Sequence, residues 1–541
     1  MRRKIYKGLL FILLFPSLVF AQAALQKVRI DRFEGGMVSN YLADILSSNQ
    51  GASMVNVRID QIGRLSKRKG QTLFNTDVGN TAFTGMGRFD PDATTSYLVV
   101  ASGTNVARAQ VEDHTWTAAS ATGIFTTGKN TEFVQANDLL FILNGFDNTA
   151  WYNSSSLIMG SSYPSSPPTA TTGTWLRNYL FLAGATTEND WIYVSNNLNP
   201  KVFNADDIIK INTGDGQKIQ HLEAYRLNEV VVYKERSVFV LDITGSPPST
   251  CTTDCWTVQP ITTTIGTIAP RSVVSLGNDQ WFLSSEPIAI RSLVRSSFDK
   301  ILVDMVSSPI QDIFDGTSGD FAINRTHISK AAGVLFDNKY LLAIPTGTST
   351  VNNTVVVYDF TVKGWYIITG WYPADWGVFD NDLYMIDAND GRVVKCFSGT
   401  TGDLPRGPGF VNSASVPSVG INFQYVSPNI DFDNPENSKI MDALETTFEA
   451  TGNYTATVEL SLDDSDFATL GTVNLAGDSR VLPADLPFSL ANAGVARKTF
   501  HTQKYGRWRK AKVKVSNAAS QETVQLNSIT IFSDPKQWQR E

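Results

Sequence analysis

The sequence predicts an all-β protein: a β-propeller of roughly six to eight blades followed by a C-terminal β-sandwich. Three observations predict it. Between Asp337 and Phe397 the chain reads as successive runs of four to eight apolar, aromatic and β-branched residues, each fenced by Asn, Asp, Gly or Pro, the pattern of short antiparallel strands joined by tight turns. The same kernel, a strand, a polar turn and an aromatic-rich strand, recurs upstream. From residue 421 the pattern changes to longer alternating segments such as Thr455 to Leu462 and Ala511 to Ser516, which suit a sandwich of about 110 residues.

Composition fits this class. The chain has 541 residues, 42% of them hydrophobic, 11% aromatic and 18% charged, enough for several domains and too apolar for a disordered chain. A net charge of −7 argues against bulk nucleic-acid binding through a basic surface. At the N-terminus, residues 1–23 combine the basic stretch Met1 to Lys7, an apolar run from Gly8 to Phe20 and the small-x-small pattern Ala21 to Ala23. This is the layout of a secretion signal, with an N-terminal arm as the alternative. The apolar run is short for a membrane span, and no stable span is expected elsewhere.

In chain order, residues 26–75 read as an N-terminal β segment. Asn56 to Asp60 alternates as a strand, Gln61 to Gly63 turns, and Arg64 to Arg68 returns. Gly35, Gly36, Gly63 and Gly70 are expected to serve the backbone at turns, where glycine reaches conformations other residues adopt only at a cost. The basic run Arg64, Lys67, Arg68 and Lys69 could touch phosphate, but a solvated edge strand guarded by positive charge is the preferred reading.

Residues 76–400 hold the propeller repeats, at roughly 40 to 50 residues per blade. The kernels include Glu132 to Asn144, Trp175 to Gly184, Glu229 to Leu241 and Ser272 to Ser284, while Ile301 to Phe314 reads as a helical or irregular insertion. Residues 401–420, rich in Gly, Pro and Ser, read as a linker, and 421–541 as the sandwich. Few contacts are expected across such a linker, so the propeller should fold without the sandwich.

Catalytic and metal signatures are absent from the sequence. The four histidines, at 114, 221, 327 and 501, are scattered without the spacing of a zinc site. No nucleophile elbow, phosphate-binding loop or dinucleotide motif occurs, and no cofactor is expected. A pair of catalytic carboxylates could come from different blades and would then leave no local pattern. Asp463 to Asp466 resembles a sialidase Asp-box only in its aspartates and reads as a polar turn, as does Asp387 to Gly391. Cys251 and Cys255 could close a small disulfide in an oxidising compartment, and Cys396 ends a strand in a position suited to burial. Lys504 to Lys514 interleaves aromatics with base, as single-strand nucleic-acid binders do. The alternation of Lys510, Lys512 and Lys514 instead suits one solvated face of a sandwich strand.

Several motifs together resemble a known family. Phe33 to Gly36, Asn56 to Asp60 and Gly63 to Gly70 resemble the N-terminus of β-propeller proteins of tailed-bacteriophage tails, the tail-nozzle and packaged-DNA stabilisation (head-closure) proteins. Ile265 to Val274 with Trp281 to Ser284, and Asn338 to Pro345 with Val357 to Asp359, resemble blades of the same group. Ile430 to Lys439 and Val458 to Asp464 resemble the appended sandwich. The resemblance implies a structural protein without catalytic residues, located in the virion tail. It would form a ring with copies of itself, commonly a hexamer, around the DNA exit channel, meet neighbouring tail or portal-adaptor proteins, and let double-stranded DNA pass transiently. The signal-like N-terminus points instead to an exported or periplasmic β-propeller that binds carbohydrate or hydrolyses glycosides.

Overall fold

The computed structural model describes residues 26–60, 62–74, 83–110, 115–119, 124–295, 301–389, 391–399, 401–405, 418–476, 494–533 and 539–540. The signal-like segment 1–23, residues 406–417 of the expected linker, His114 and Asp390 lie outside these residues. The chain is all-β, and its centre is a propeller. Blades 1 to 5 run in chain order from Phe83–Phe89 to Ile301–Met305, each a four-stranded antiparallel meander. Ile301–Met305 is thus the outermost strand of blade 5, where the sequence suggested an insertion; helical structure begins only at Ser308–Ile310 and Gln311–Asp315. Blade 6 comprises Ala332–Phe336, Lys339–Ile344, Thr354–Asp359 and Gly364–Thr369. Blade 7 comprises Pro373–Phe379, Asp382–Asp387 and Val393–Cys396, with a fourth strand, Gln71–Leu73, supplied from the far end of the chain. Six blades therefore stand as separate four-stranded sheets, and blade 6 forms part of a larger one.

The kernels at Glu132 to Asn144, Trp175 to Gly184 and Ser272 to Ser284 are the first hairpins of blades 2, 3 and 5, while Glu229 to Leu241 is the second hairpin of blade 4. The first-hairpin turns of blades 3, 6 and 7 place Arg177 and Asn178, Asp337 and Asn338, and Asp380 and Asn381 at positive φ, the twist that two-residue hairpin turns require. The strand after each turn is buried along most of its length, as in Leu139–Leu143 and Tyr340 to Ile344, because it is packed between neighbouring blades. The continuous apolar runs reflect this burial on both faces.

The terminal modules depart from the expected organisation. Within residues 26–75, Gly36–Met37 pairs with Gln50–Gly51, and the expected hairpin joins Val57–Ile59 to Leu65–Lys67, but the segment is not a separate module. Gln26–Ile30 pairs with Gln525–Ser533, and Leu65–Lys67 pairs with the same strand. Ser53–Val55 lies between blade 6 and the sandwich, parallel to Gly364–Thr369 at Val55 and antiparallel to Phe423–Val426. A nine-stranded sheet consequently runs from blade 6 through Ser53–Val55 into the sandwich strands Ala511–Asn517, Thr455–Leu462 and Ala468–Asn474. One hydrophobic core contains Phe33 and Met54 from the N-terminal segment, Trp281 and Tyr340 from the blades, and Phe423, Leu444 and Val513 from the sandwich. The separable propeller expected from the linker is replaced by two modules with a common core. At the linker, Gly402–Asp403 pairs with Val419–Gly420. Among the described residues no helix is long and apolar enough to cross a membrane.

Candidate functional site

The first strand of each blade lines the propeller axis, and polar side chains near the starts of these strands meet there. Glu132 begins the first strand of blade 2 and Thr172 that of blade 3, while His221 and Glu223 sit in Ile219–Tyr225 of blade 4 and Ser275 in Val274–Ser275 of blade 5. The Thr172 hydroxyl donates to Glu132 Oε1 at 3.1 Å and lies 3.2 Å from His221 Nδ1. His221 Nε2 lies 3.2 Å from Glu223 Oε2, and Glu223 Oε1 accepts from the Ser275 hydroxyl at 2.9 Å. Because Thr172 spends its proton on Glu132, its lone pairs can accept the Nδ1 proton, so both nitrogens of a protonated ring are satisfied. Burial alone would lower the His221 pKa, but the hydrogen bond to Glu223 and the charges of Glu132 and Glu223 raise it on balance. Burial raises the Glu132 carboxyl, against the charge of His221.

A second group closes the axis. Arg271, in the turn Pro270–Ser272 leading into blade 5, donates to the carbonyl oxygens of Thr84 in blade 1, Thr131 beside blade 2 at 2.9 Å, and Ala374 in blade 7 at 3.3 Å. Its guanidinium stands 3.7 Å from Asp375. Reaching from blade 5 to blades 7, 1 and 2, the side chain crosses the axis of a seven-membered ring. Burial raises the Asp375 pKa, and Arg271 opposes the shift. Chemically, the axial groups can hold a proton and tie blades together. The sequence contained these residues but could not pair them, since each comes from a different blade. Their shared place near the start of a blade's first strand was the signal available.

The residues singled out from the sequence lie elsewhere. Gly36 has φ +66°, and a Cβ there would stand 2.5 Å from the backbone nitrogen of Trp365; at Gly70 a Cβ would stand 1.8 Å from the carbonyl oxygen of Gly402. Gly35 fits closely against Asn49, and Gly63 turns between Val57–Ile59 and Leu65–Lys67. Gly36 and Gly70 sit where the N-terminal segment meets the rest of the chain, whereas Gly35 and Gly63 meet only residues of that segment. Arg68 and Lys67, expected on a solvated edge, are 1% and 5% exposed. Lys67 Nζ donates to Asn517 Oδ1 and the Ala519 carbonyl oxygen, both at 2.7 Å, and burial pulls its ammonium down to about 8. Arg64 pairs with Asp60 and Glu449. The run is therefore neither a phosphate site nor a solvated edge, because its central residues have buried partners distant in sequence.

Lys510 and Lys512 pair with Asp464, and Lys514 with Glu459, while Ala511, Val513 and Val515 point into the core. The aspartates from Asp463 to Asp466 form the turn between Thr455–Leu462 and Ala468–Asn474 and neutralise this strand. A cleft of about 760 Å³ opens beside them, lined by Asp44, Asp431, Asp463, Arg507 and Lys510; Lys510 also reaches Asp44 at 3.5 Å. Cys251 and Cys255 are joined in a disulfide, and Cys396 is buried and outside any disulfide. Among the described residues no group of three or more His, Cys, Asp or Glu side chains is placed to hold a metal ion.

No protein-family model and no curated protein matches the chain. Among solved structures, the computationally designed Ika8 protein is 12% identical over 61% of this chain and 100% of its own, at a TM-score of 0.37. YCF48 bound to D1 peptide is 10% identical over 64% of this chain and 98% of its own, at 0.38. BamB from Moraxella catarrhalis is 11% identical over 61% of this chain and 97% of its own, at 0.33. Similarities of this size carry no argument about function.

Proposed function

We propose that the chain is a structural protein of a tailed-phage virion, a subunit of a tail ring of the nozzle or head-closure type, and carries no reaction of its own. The observation behind this reading is the use made of the residues that carry the family resemblance. Between them, Phe33, Gly36, Asn56, Arg68 and Gly70 join the first 75 residues to blade 6, to the strand Gly402–Asp403 and to the sandwich. Their chemistry is that of a rigid scaffold. The propeller axis, crossed by Arg271, gives DNA no path, so the duplex would pass through the centre of a ring of copies. Neighbouring tail or portal-adaptor proteins would complete the assembly.

Electron microscopy tests the reading: rings of the purified chain, and labelling of phage tails by an antibody against it, are expected. Monomers alone, together with particles free of label, would overturn it.

A second reading, an exported propeller that binds carbohydrate, is favoured by the Cys251–Cys255 disulfide, since such bonds persist in oxidising compartments. Binding on a glycan array with no label on virions would select it.

A further inference from the structure

Lys67 and Asn517, 450 residues apart in the chain, meet between the two sheets of the sandwich. Lys67 ends the strand Leu65–Lys67 of one sheet, and Asn517 ends Ala511–Asn517 of the other. Both residues are buried. Lys67 Nζ donates to Asn517 Oδ1 at 2.7 Å. The amide nitrogen of the same asparagine donates to Glu522 Oε2 at 2.6 Å and to the Thr455 carbonyl oxygen at 2.8 Å. A donor on Oδ1 and two acceptors on Nδ2 fix which way the amide faces.

A buried ammonium is ordinarily paired with a carboxylate, as Lys234 is with Asp215 at 2.8 Å. Among the described residues Lys67 has no ion pair; its other acceptor is the Ala519 carbonyl oxygen. Burial is the largest influence on its ammonium, which it pulls down to about 8, against the charge of Glu522. A usable part of Lys67 is therefore free amine near neutral pH, and the free amine is the nucleophile. The site thus holds an amine against an amide carbonyl, with a carboxylate on the nitrogen that would leave.

We propose that Lys67 and Asn517 join in an intramolecular isopeptide bond, formed once in each folded chain with Glu522 as its acid–base group. Lys67 Nζ adds to Asn517 Cγ. Glu522 carries the proton lost by Nζ to Nδ2. The Cγ–Nδ2 bond breaks, ammonia leaves, and Nζ–Cγ remains as an amide. Nothing is oxidised or reduced, and no co-reactant is consumed. The fold supplies the proximity that makes an unreactive amide exchange. The bond ties the two sheets of the sandwich together. It also closes a covalent loop around the propeller, because Lys67 lies just before Gln71–Leu73, the strand that completes blade 7. The step acts on no outside substrate and is independent of the tail reading: it is measured on the purified chain, whereas that reading is measured on virions.

Mass spectrometry of the reduced, purified full chain tests it. A tryptic digest should contain a branched peptide that joins the Lys67 segment to the Asn517 segment and is lighter than the two together by one ammonia. Cyclisation of Asn517 alone would also lose ammonia but would leave the segments separate, so the branch is the deciding signal. With a specific protease site placed within residues 406–417, the two cut pieces should stay joined on a denaturing gel. Lys67→Met and Glu522→Gln should each abolish the branched peptide and let the cut pieces separate, with a cooperative melt as the check that each variant is folded. Wild-type chain that yields the two segments only unlinked would show that the pair is a hydrogen bond and nothing more, and would overturn the proposal. A branched peptide that persists in Glu522→Gln would overturn the part assigned to Glu522.

Discussion

Arg68 and Asp403, 335 residues apart in the chain, form a buried two-pronged ion pair: Nη1 donates to Oδ1 at 2.9 Å and Nη2 to Oδ2 at 2.6 Å. The guanidinium also donates through Nε to Asn56 Oδ1 and through Nη2 to the Thr369 carbonyl oxygen, and it lies 4.7 Å from the centre of the Trp371 ring. Trp371 Nε1 donates to the same carboxylate at 3.0 Å. One side chain thereby ties the N-terminal segment to blade 6, to Trp371 beyond it, and to the pairing strand Gly402–Asp403. Removing one partner of such a pair strands the other as a buried charge, which costs about 3–5 kcal/mol.

Arg68→Ala and Asp403→Ala should therefore each lower the urea midpoint by a large and similar amount. The double substitution should cost clearly less than their sum, because the second removal takes away a charge already unpaired. Arg68→Lys should recover little, since an ammonium cannot reproduce the two parallel bonds. Strictly additive single effects would show that the two groups are not coupled.

The shared core gives the second prediction. Truncation after residue 405 would strip Phe423–Val426 from Ser53–Val55 and expose Phe33 and Met54, both 0% exposed in the full chain. The truncated chain should be insoluble or lack a cooperative unfolding transition. A specific protease site placed within residues 406–417 should give, once cut, two pieces that co-elute on size exclusion. A soluble truncation with a sharp melt would restore the independent propeller expected from linker composition.

Gly70 lies so close to the backbone of Gly402 that a methyl group cannot enter without moving a strand. Gly70→Ala should consequently cost several kcal/mol, at or beyond the upper end of ordinary overpacking, which is about 1–3 kcal/mol. Gly494→Ala is the matched control, since a Cβ there meets nothing within 4 Å and no positive φ applies. Thermal melts of the two variants side by side check both. Equal melting temperatures would mean that the Gly70 contact relaxes freely.

How much of this was legible in the sequence follows from the range of each signal. Hairpin kernels were readable because strand, turn and strand are contiguous: Leu139 to Leu143 follows Asn137 and Asp138 directly. The strand closing blade 7 was not, because Gln71–Leu73 pairs with Val393–Cys396 and alternation reports that a strand exists without naming its partner. The same applies to Gln26–Ile30, whose partners end at Ser533. Arg68 was misplaced for a related reason: a cationic run looks alike whether it faces water or a carboxylate brought in from residue 403. The axial site combined both difficulties, with Glu132, His221 and Arg271 each unremarkable within its own blade.

The axial histidine makes the stability of the propeller depend on pH. His221 from blade 4 faces Glu132 from blade 2 and Glu223 on its own strand, with Thr172 of blade 3 between them and the Tyr233 ring behind. Its folded pKa is raised above the ordinary 6.5, so the protonated ring binds its surroundings more strongly in the folded state. That contribution is fully present below pH 6.5 and is lost as pH rises through the raised folded value. Glu132, also raised from its ordinary 4.5, acts in the same direction at lower pH, since its ionisation in the folded state is resisted by burial. His221→Gln keeps a hydrogen-bonding side chain but cannot take up the proton. The melting-temperature advantage of the wild type over His221→Gln should be largest below pH 6.5 and should shrink as the pH is raised above it. An advantage that is flat across this range, or that grows with pH, would mean that the ring is neutral in the folded protein and that Glu132 and Glu223 do not hold its proton.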